Sequence, residues 1–192
     1  MARTGSRLPG VVLVVILVVL AGIGVAWSTG FPWTDPAPDA GDPGGPSAAA
    51  AGIPSPPEDA VSLIVTYVFD GDTIEAADPA TDERTRVRLI GIDTPEGTPA
   101  PECWADEARS HLAELLPEGA TVWAAPDAEP FDRYDRSLLY LWTDDGRFVN
   151  YELVAAGDAE AMRIAPNTAH AELLGAAQSQ AEASRAGRWG AC

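Results

Sequence analysis

Lysine is absent from this chain of 192 residues, and its 12 positive charges, all arginine, stand against 29 acidic side chains. Over residues 60–192 the balance is 10 arginines to 24 acids, a net charge of −14. A protein that holds a polyanion by bulk electrostatics carries the opposite sign, so that class is excluded. Any contact with an anionic partner has to come from a local group of arginines working against the surrounding field. Histidine is nearly as scarce: His111 and His170 are the two. Neither has a partner at metal-ligand spacing, and both read as structural or solvent-facing residues on helices. Two cysteines, Cys103 and Cys192, are too few for a cysteine-rich metal site. In an oxidising compartment a pair allows one intrachain disulfide, and a Cys103–Cys192 bridge is the expectation, against free thiols or an intermolecular link.

Long apolar runs are missing too, except at the N-terminus. Arg3 and Arg7 precede an uncharged, mostly aliphatic run over 10–27. Its 18 residues exceed a signal-peptide core of about 7–15 residues and reach the lower limit for a bilayer span. Export is expected, with the arginines left inside and an extracytoplasmic domain either secreted or membrane-anchored. Residues 1–27 are a cleaved signal peptide or an uncleaved anchor through 8–27, and both remain open. Residues 28–58 hold eight prolines and five glycines, a composition that favours a mobile, disordered linker over a core. The folded domain is expected over 59–192.

Within that domain, alternating β-formers predict strands over 62–68, 73–77 and 84–92, with turns at Asp70-Gly71 and 78–82. The third strand sets Arg84, Arg86 and Arg88 on one face. Helical spacing over 102–116 puts Ala105, Ala108, Leu112 and Leu115 on a shared side. Strands over 120–125 and 137–142 follow, then helices over 149–156 and 169–185. Trp123 and Trp142 alternate with apolar neighbours and read as core. This order predicts an α+β, mainly β fold: a five-stranded OB-type barrel with about three helices, preceded by the N-terminal hydrophobic helix and the linker.

Two short stretches carry the chemistry. Asp70-Gly71-Asp72-Thr73 and Arg88-Leu89-Ile90-Gly91-Ile92-Asp93-Thr94-Pro95-Glu96 bring four carboxylates and a guanidinium close together. Clustered carboxylate oxygens suit a hard cation such as calcium, and arginine can grip a phosphate through two parallel hydrogen bonds. Asp132-Arg133-Tyr134-Asp135-Arg136 adds two more guanidiniums. Taken singly, these are explained by a polar turn, a strand end entering a helix, and solvated ion pairs. Taken together they point to phosphodiester hydrolysis.

Residues 61–192 resemble the staphylococcal nuclease (thermonuclease) family. Asp70-Gly-Asp-Thr73, Arg88-x4-Asp93-Thr-Pro-Glu96 and Asp132-Arg-Tyr-Asp-Arg136 occur in family order, with a weaker fourth block over 166–174. The resemblance implies an OB-type barrel and calcium-dependent cleavage of DNA and RNA. On its pattern Asp72 and Asp93 bind Ca2+ directly, with the Thr94 carbonyl as a third protein ligand. Glu96 activates or orients the attacking water, and Arg88 and Arg136 hold the scissile phosphate and its transition state. Arg133 and Tyr134 contact a neighbouring nucleotide phosphate. The chain departs from the family at Met162 and Ile164, where tyrosines line the base pocket, and in a shorter loop after Glu96. A catalytically weak nucleic-acid-binding or protein-interaction module on the same barrel is the alternative, and the complete set Arg88, Glu96 and Arg136 argues against it. A monomer is expected.

Overall fold

The computed structural model describes residues 52–192. The apolar run over 10–27, its cleaved or anchored fate, and the linker as far as residue 51 lie outside the described residues.

Alternating apolar side chains and a few tight turns build most of the domain. Its strands are β1 (Val61–Val68), β2 (Thr73–Ala77), β3 (Arg84–Leu89), β4 (Ile92–Asp93), β5 (Thr121–Phe131), β6 (Ser137–Thr143) and β7 (Glu160–Ala161). The helices are α1 (Ala105–Leu115), α2 (Val149–Ala156), α3 (Ala171–Ser184) and the single turn α4 (Arg188–Ala191). Strands β1-β2-β3-β6-β5 close into a barrel, with β1 pairing back to β5. All pairings in it are antiparallel except that of β3 with β6. The expected five-stranded barrel with three helices is present.

Val65, Ile74, Val87, Leu89, Val122 and Leu141 fill the barrel and are all but inaccessible. Leu112 of α1 joins this core together with Phe148, which stacks on Trp142 at 4.9 Å. Strand β1 contains a register shift between Val65 and Tyr67. The irregularity breaks the two-residue alternation, so that Val68 turns inward while Tyr67 stays 43% exposed.

Three boundaries differ from the sequence reading. Strand β3 stops at Leu89; Gly91 takes a positive φ of 80°, and Ile92–Asp93 resumes as β4 against β7. Strand β5 continues past residue 125 to Phe131 through an irregular register beyond Pro126. The end of the linker belongs to the domain, since Ile53 packs on the core and the Pro54 carbonyl accepts a 2.8 Å hydrogen bond from Trp142 Nε1.

Helix α1 has no side-chain cap, but Asp106 and Glu107 complement its N-terminal dipole. Its start is fixed by the Cys103–Cys192 disulfide. Asp158, buried at the end of α2, accepts hydrogen bonds from Trp104 Nε1 at 2.7 Å and from His111 Nδ1. His111 is thus structural, and its pKa is raised. The Asp158 hydrogen bond is the main cause; burial opposes it, the charges of Asp158 and Glu114 add to it, and Arg147 detracts. A raised folded pKa means that the stabilisation is complete below the unfolded value of about 6.5 and fades as pH rises through the folded value. The melting temperature of the native protein, relative to His111→Gln, is therefore expected to decline as pH climbs from about 6 through the folded His111 pKa. Parallel Tm profiles for the two proteins would contradict this.

Candidate active site

The turn between β1 and β2 carries the first carboxylates. A Cβ on Gly71 would lie 2.9 Å from both Ala108 and Thr94, so only glycine lets α1 and the segment after β4 approach this closely. The Asp70 carboxylate accepts the Asp72 backbone N–H at 3.2 Å and tightens the turn. From α1, the Arg109 guanidinium donates to the Val68 and Phe69 carbonyls at 3.1–3.2 Å.

Asp72 points from this turn into the protein. Its Oδ1 accepts the Thr73 hydroxyl at 3.0 Å, and its Oδ2 accepts the Thr94 backbone N–H at 3.0 Å. Arg88 Nη2 meets Asp72 Oδ2 at 2.9 Å and Asp93 Oδ1 at 2.8 Å. Its Nη1 donates to the Leu89 and Ile92 carbonyls. Arg88 is therefore held by two carboxylates and two carbonyls across the break between β3 and β4. Burial pushes the Asp72 carboxyl up to about 6; Arg88 opposes the rise and the charge of Asp70 adds to it.

The second wall comes from the turn between β5 and β6. Asp132 Oδ1 accepts the backbone N–H groups of Tyr134 and Arg136, both at 2.9 Å, and Oδ2 accepts Arg136 Nε at 2.7 Å. Burial would raise the Asp132 pKa, but the hydrogen bonds from Arg136 and Tyr134 outweigh it and hold the carboxyl below its usual value. Arg133 Nη2 donates to the Tyr134 hydroxyl at 2.6 Å, and its guanidinium carbon lies 4.7 Å from the Tyr134 ring centre.

Arg88, Arg133, Tyr134 and Arg136 line one cavity of about 440 Å³, and Met162 and Ile164 form part of its apolar side. Sequence blocks separated by β5 and α1 are thus brought together. Glu96 is not among the lining residues: it is exposed, and its backbone exchanges hydrogen bonds with Glu102, at 3.1 Å to the side chain and 2.9 Å to the backbone.

Among the described residues no three histidine, cysteine, aspartate or glutamate side chains gather as a metal cluster. Asp72 and Asp93 nevertheless converge on a single arginine nitrogen, and Thr94 is tied to Asp72 through its own backbone. That donor set contains only oxygen, which fits a hard cation completed by water and does not fit zinc or copper.

Residues 86–191 match the family of staphylococcal nuclease homologues. The chain belongs to that family. It is 36% identical over 132 residues to the thermonuclease of Staphylococcus intermedius, covering 67% of this chain and 76% of that protein. The thermonuclease of Staphylococcus hyicus is 33% identical over 129 residues, 65% of this chain and 73% of the relative. Endonuclease YhcR of Bacillus subtilis is 32% identical over 148 residues, which are 71% of this chain and 12% of that much longer protein. The family match starts inside β3, so it takes in every residue of the cavity wall, while Asp72 precedes it.

In this nuclease homologue the structure adds residues that the motifs did not single out. Arg109 fixes the carbonyls beneath the Asp70–Asp72 turn, with no local signal beyond its place on α1. Asn167 locks onto Glu129, donating to its carbonyl at 2.9 Å and accepting its N–H at 2.8 Å, and so ties the segment before α3 to the far end of β5. It sits within the fourth motif block, where an asparagine after proline was a readable clue. His170, outside the cavity, packs edge-on against Tyr140 and Phe148 and is structural, as expected.

Proposed function

We propose that this chain is an exported, calcium-dependent nuclease that hydrolyses phosphodiester bonds of DNA and RNA. The observation that carries the proposal is the pair of guanidiniums, Arg88 and Arg136, lining one cavity from β3 and from the turn before β6, each oriented by its own carboxylate partners. Hydrolysis adds negative charge to the phosphoryl oxygens as phosphorus becomes five-coordinate. Fixed donors aimed at that developing charge stabilise the transition state more than the ground state. Asp132 occupies Arg136 Nε and leaves the terminal nitrogens for phosphate. Arg133 and Tyr134 position the adjacent nucleotide phosphate from the same turn.

Asp72, Asp93 and the Thr94 carbonyl would hold the calcium ion, which when bound supplies charge neutralisation and Lewis acidity at a phosphoryl oxygen. Glu96 is the carboxylate that orients the attacking water and accepts its proton, a contribution of about 10²–10⁴-fold. Its side chain is exposed and outside the cavity lining, and the catalytic hydrogen bonds of general bases are often long or poorly aligned without substrate. Export is supported by the apolar run over 10–27 and by the Cys103–Cys192 disulfide, which suits an oxidising compartment.

The test is direct. The purified full chain is expected to degrade single-stranded DNA and RNA with calcium and to stop when a chelator is added. Asp93→Asn is expected to weaken calcium binding in calorimetry and to depress cleavage. Unchanged calcium affinity in that variant would show that Asp93 is not a ligand.

A further inference from the structure

The outer face of the barrel continues beyond the cleavage cavity. On β3, the two-residue alternation sets Arg84, Arg86 and Arg88 on one face of the sheet at steps of about 6.6 Å, with Arg84 held by Glu75 and Arg88 by Asp72 and Asp93. Register places Glu75 of β2 opposite Arg86, and Tyr67 of β1 opposite Glu75, so the three form one row across the sheet. The register shift in β1 is what turns Tyr67 outward into that row.

Charge in this row is unevenly spent. Glu75 is engaged by Arg84 Nη1 at 2.9 Å and by the Thr66 hydroxyl at 2.8 Å. Arg86, by contrast, has no carboxylate within ion-pair distance among the described residues. It lies over Phe69, its guanidinium carbon 4.1 Å from the ring centre, and Phe69 meets Tyr67 edge-to-face at 4.8 Å. The parallel pairing of Val87 with Ser137 sets Arg86 beside Arg136. These two arginines share a second, open cavity of about 530 Å³ with Tyr134 and Asp135. Asp135 is the one carboxylate in that lining.

We propose that Arg86 and Tyr67 form an accessory site for single-stranded nucleic acid, receiving the strand as it leaves the cleavage cavity past Arg136. Arg86 takes a phosphate, Phe69 holds its guanidinium in place, and the exposed Tyr67 ring offers a base a stacking surface. An unpaired arginine on an aromatic platform is a costly feature to expose on a strongly acidic domain unless an anion meets it. Continuity with the phosphate-binding residues selects nucleic acid as that anion. This inference rests on the nuclease reading, since it extends the path of the same substrate.

Two measurements on the full chain separate the two ideas. Fluorescence anisotropy with fluorescein-labelled octadeoxythymidylate, with chelator present to prevent cleavage, reads strand binding, and the loss in each variant reads the accessory site. Arg86→Gln and Tyr67→Ser are each expected to weaken octamer binding by about five- to tenfold. Arg185→Gln, the same change of charge at the end of α3, is expected to leave it unchanged. A thymidine dinucleotide has a single phosphate, which the cleavage cavity holds and which leaves none for Arg86, so its cleavage with calcium is expected to keep its kcat/KM in both variants. Octamer affinity unaffected by Arg86→Gln and Tyr67→Ser, or equally reduced by Arg185→Gln, overturns the accessory site, as does a failure of the native chain to bind the octamer. A native chain that binds the octamer but cleaves neither substrate overturns the nuclease reading instead. Both substituted side chains are exposed, so loss of fold does not confuse the result.

Discussion

Arg136→Lys is expected to lower kcat on a short single-stranded oligonucleotide by about 10²–10³-fold while KM changes little. The substitution keeps the charge, so electrostatic attraction for the ground-state phosphate survives. It removes the planar fork that lets one side chain bond Asp132 through Nε while its terminal nitrogens face the cavity. A lysine amine can satisfy Asp132 or the phosphate, but not both in fixed geometry. Loss confined to kcat identifies an interaction made in the transition state. A KM rise with kcat preserved would reassign Arg136 to simple substrate binding.

Removing the disulfide is expected to be the most destabilising change away from the site. The bridge joins residues 89 apart in sequence, and loop entropy for a segment of that length gives about 4–5 kcal/mol. Against a total of about 5–15 kcal/mol for a typical domain, this decides whether the chain stays folded at growth temperature. The bridge also sits beside Trp104, whose indole anchors α1 to Asp158, so its loss frees the helix that seats Ala108 and Arg109 against the Asp70–Asp72 turn. Equilibrium denaturation of Cys103→Ser/Cys192→Ser checks the magnitude, and mass spectrometry of unreduced peptides checks the pairing. A change below about 1 kcal/mol would mean that the unfolded chain already holds these segments together.

Much of this was legible because the signals are local. Strands β1–β3 announce themselves by alternation and Asp/Gly turns, α1 by the spacing of Ala105, Ala108, Leu112 and Leu115, all of which are buried. The cavity residues Arg88, Arg133, Tyr134 and Arg136 fall in compact blocks whose order survives in the fold. What escaped depends on distant partners. Pro126 and Pro130 conceal the continuation of β5, which persists because Pro126 and Phe131 still pair with β6. The β3–β4 break is set by Gly91 and by a two-residue pairing with β7, neither of which has a periodicity to read. Asp158, Trp104 and His111 form a hub with no motif at all. Glu96 is named by its block, yet its exposure and its backbone bonds to Glu102 could come only from three dimensions.

The parallel pairing of β3 with β6 has a consequence in time. Parallel neighbours cannot be joined by a tight hairpin, and here α1 and β5 must be threaded between them. Contacts of that kind form late and slowly, on millisecond-to-second scales for barrels of this type. Arg88 and Arg136 become neighbours only when the seam between β3 and β6 shuts, so an intermediate that lacks this seam never holds both arginines in one cavity. On the proposed export route, the polypeptide crossing a membrane in unfolded form is chemically silent.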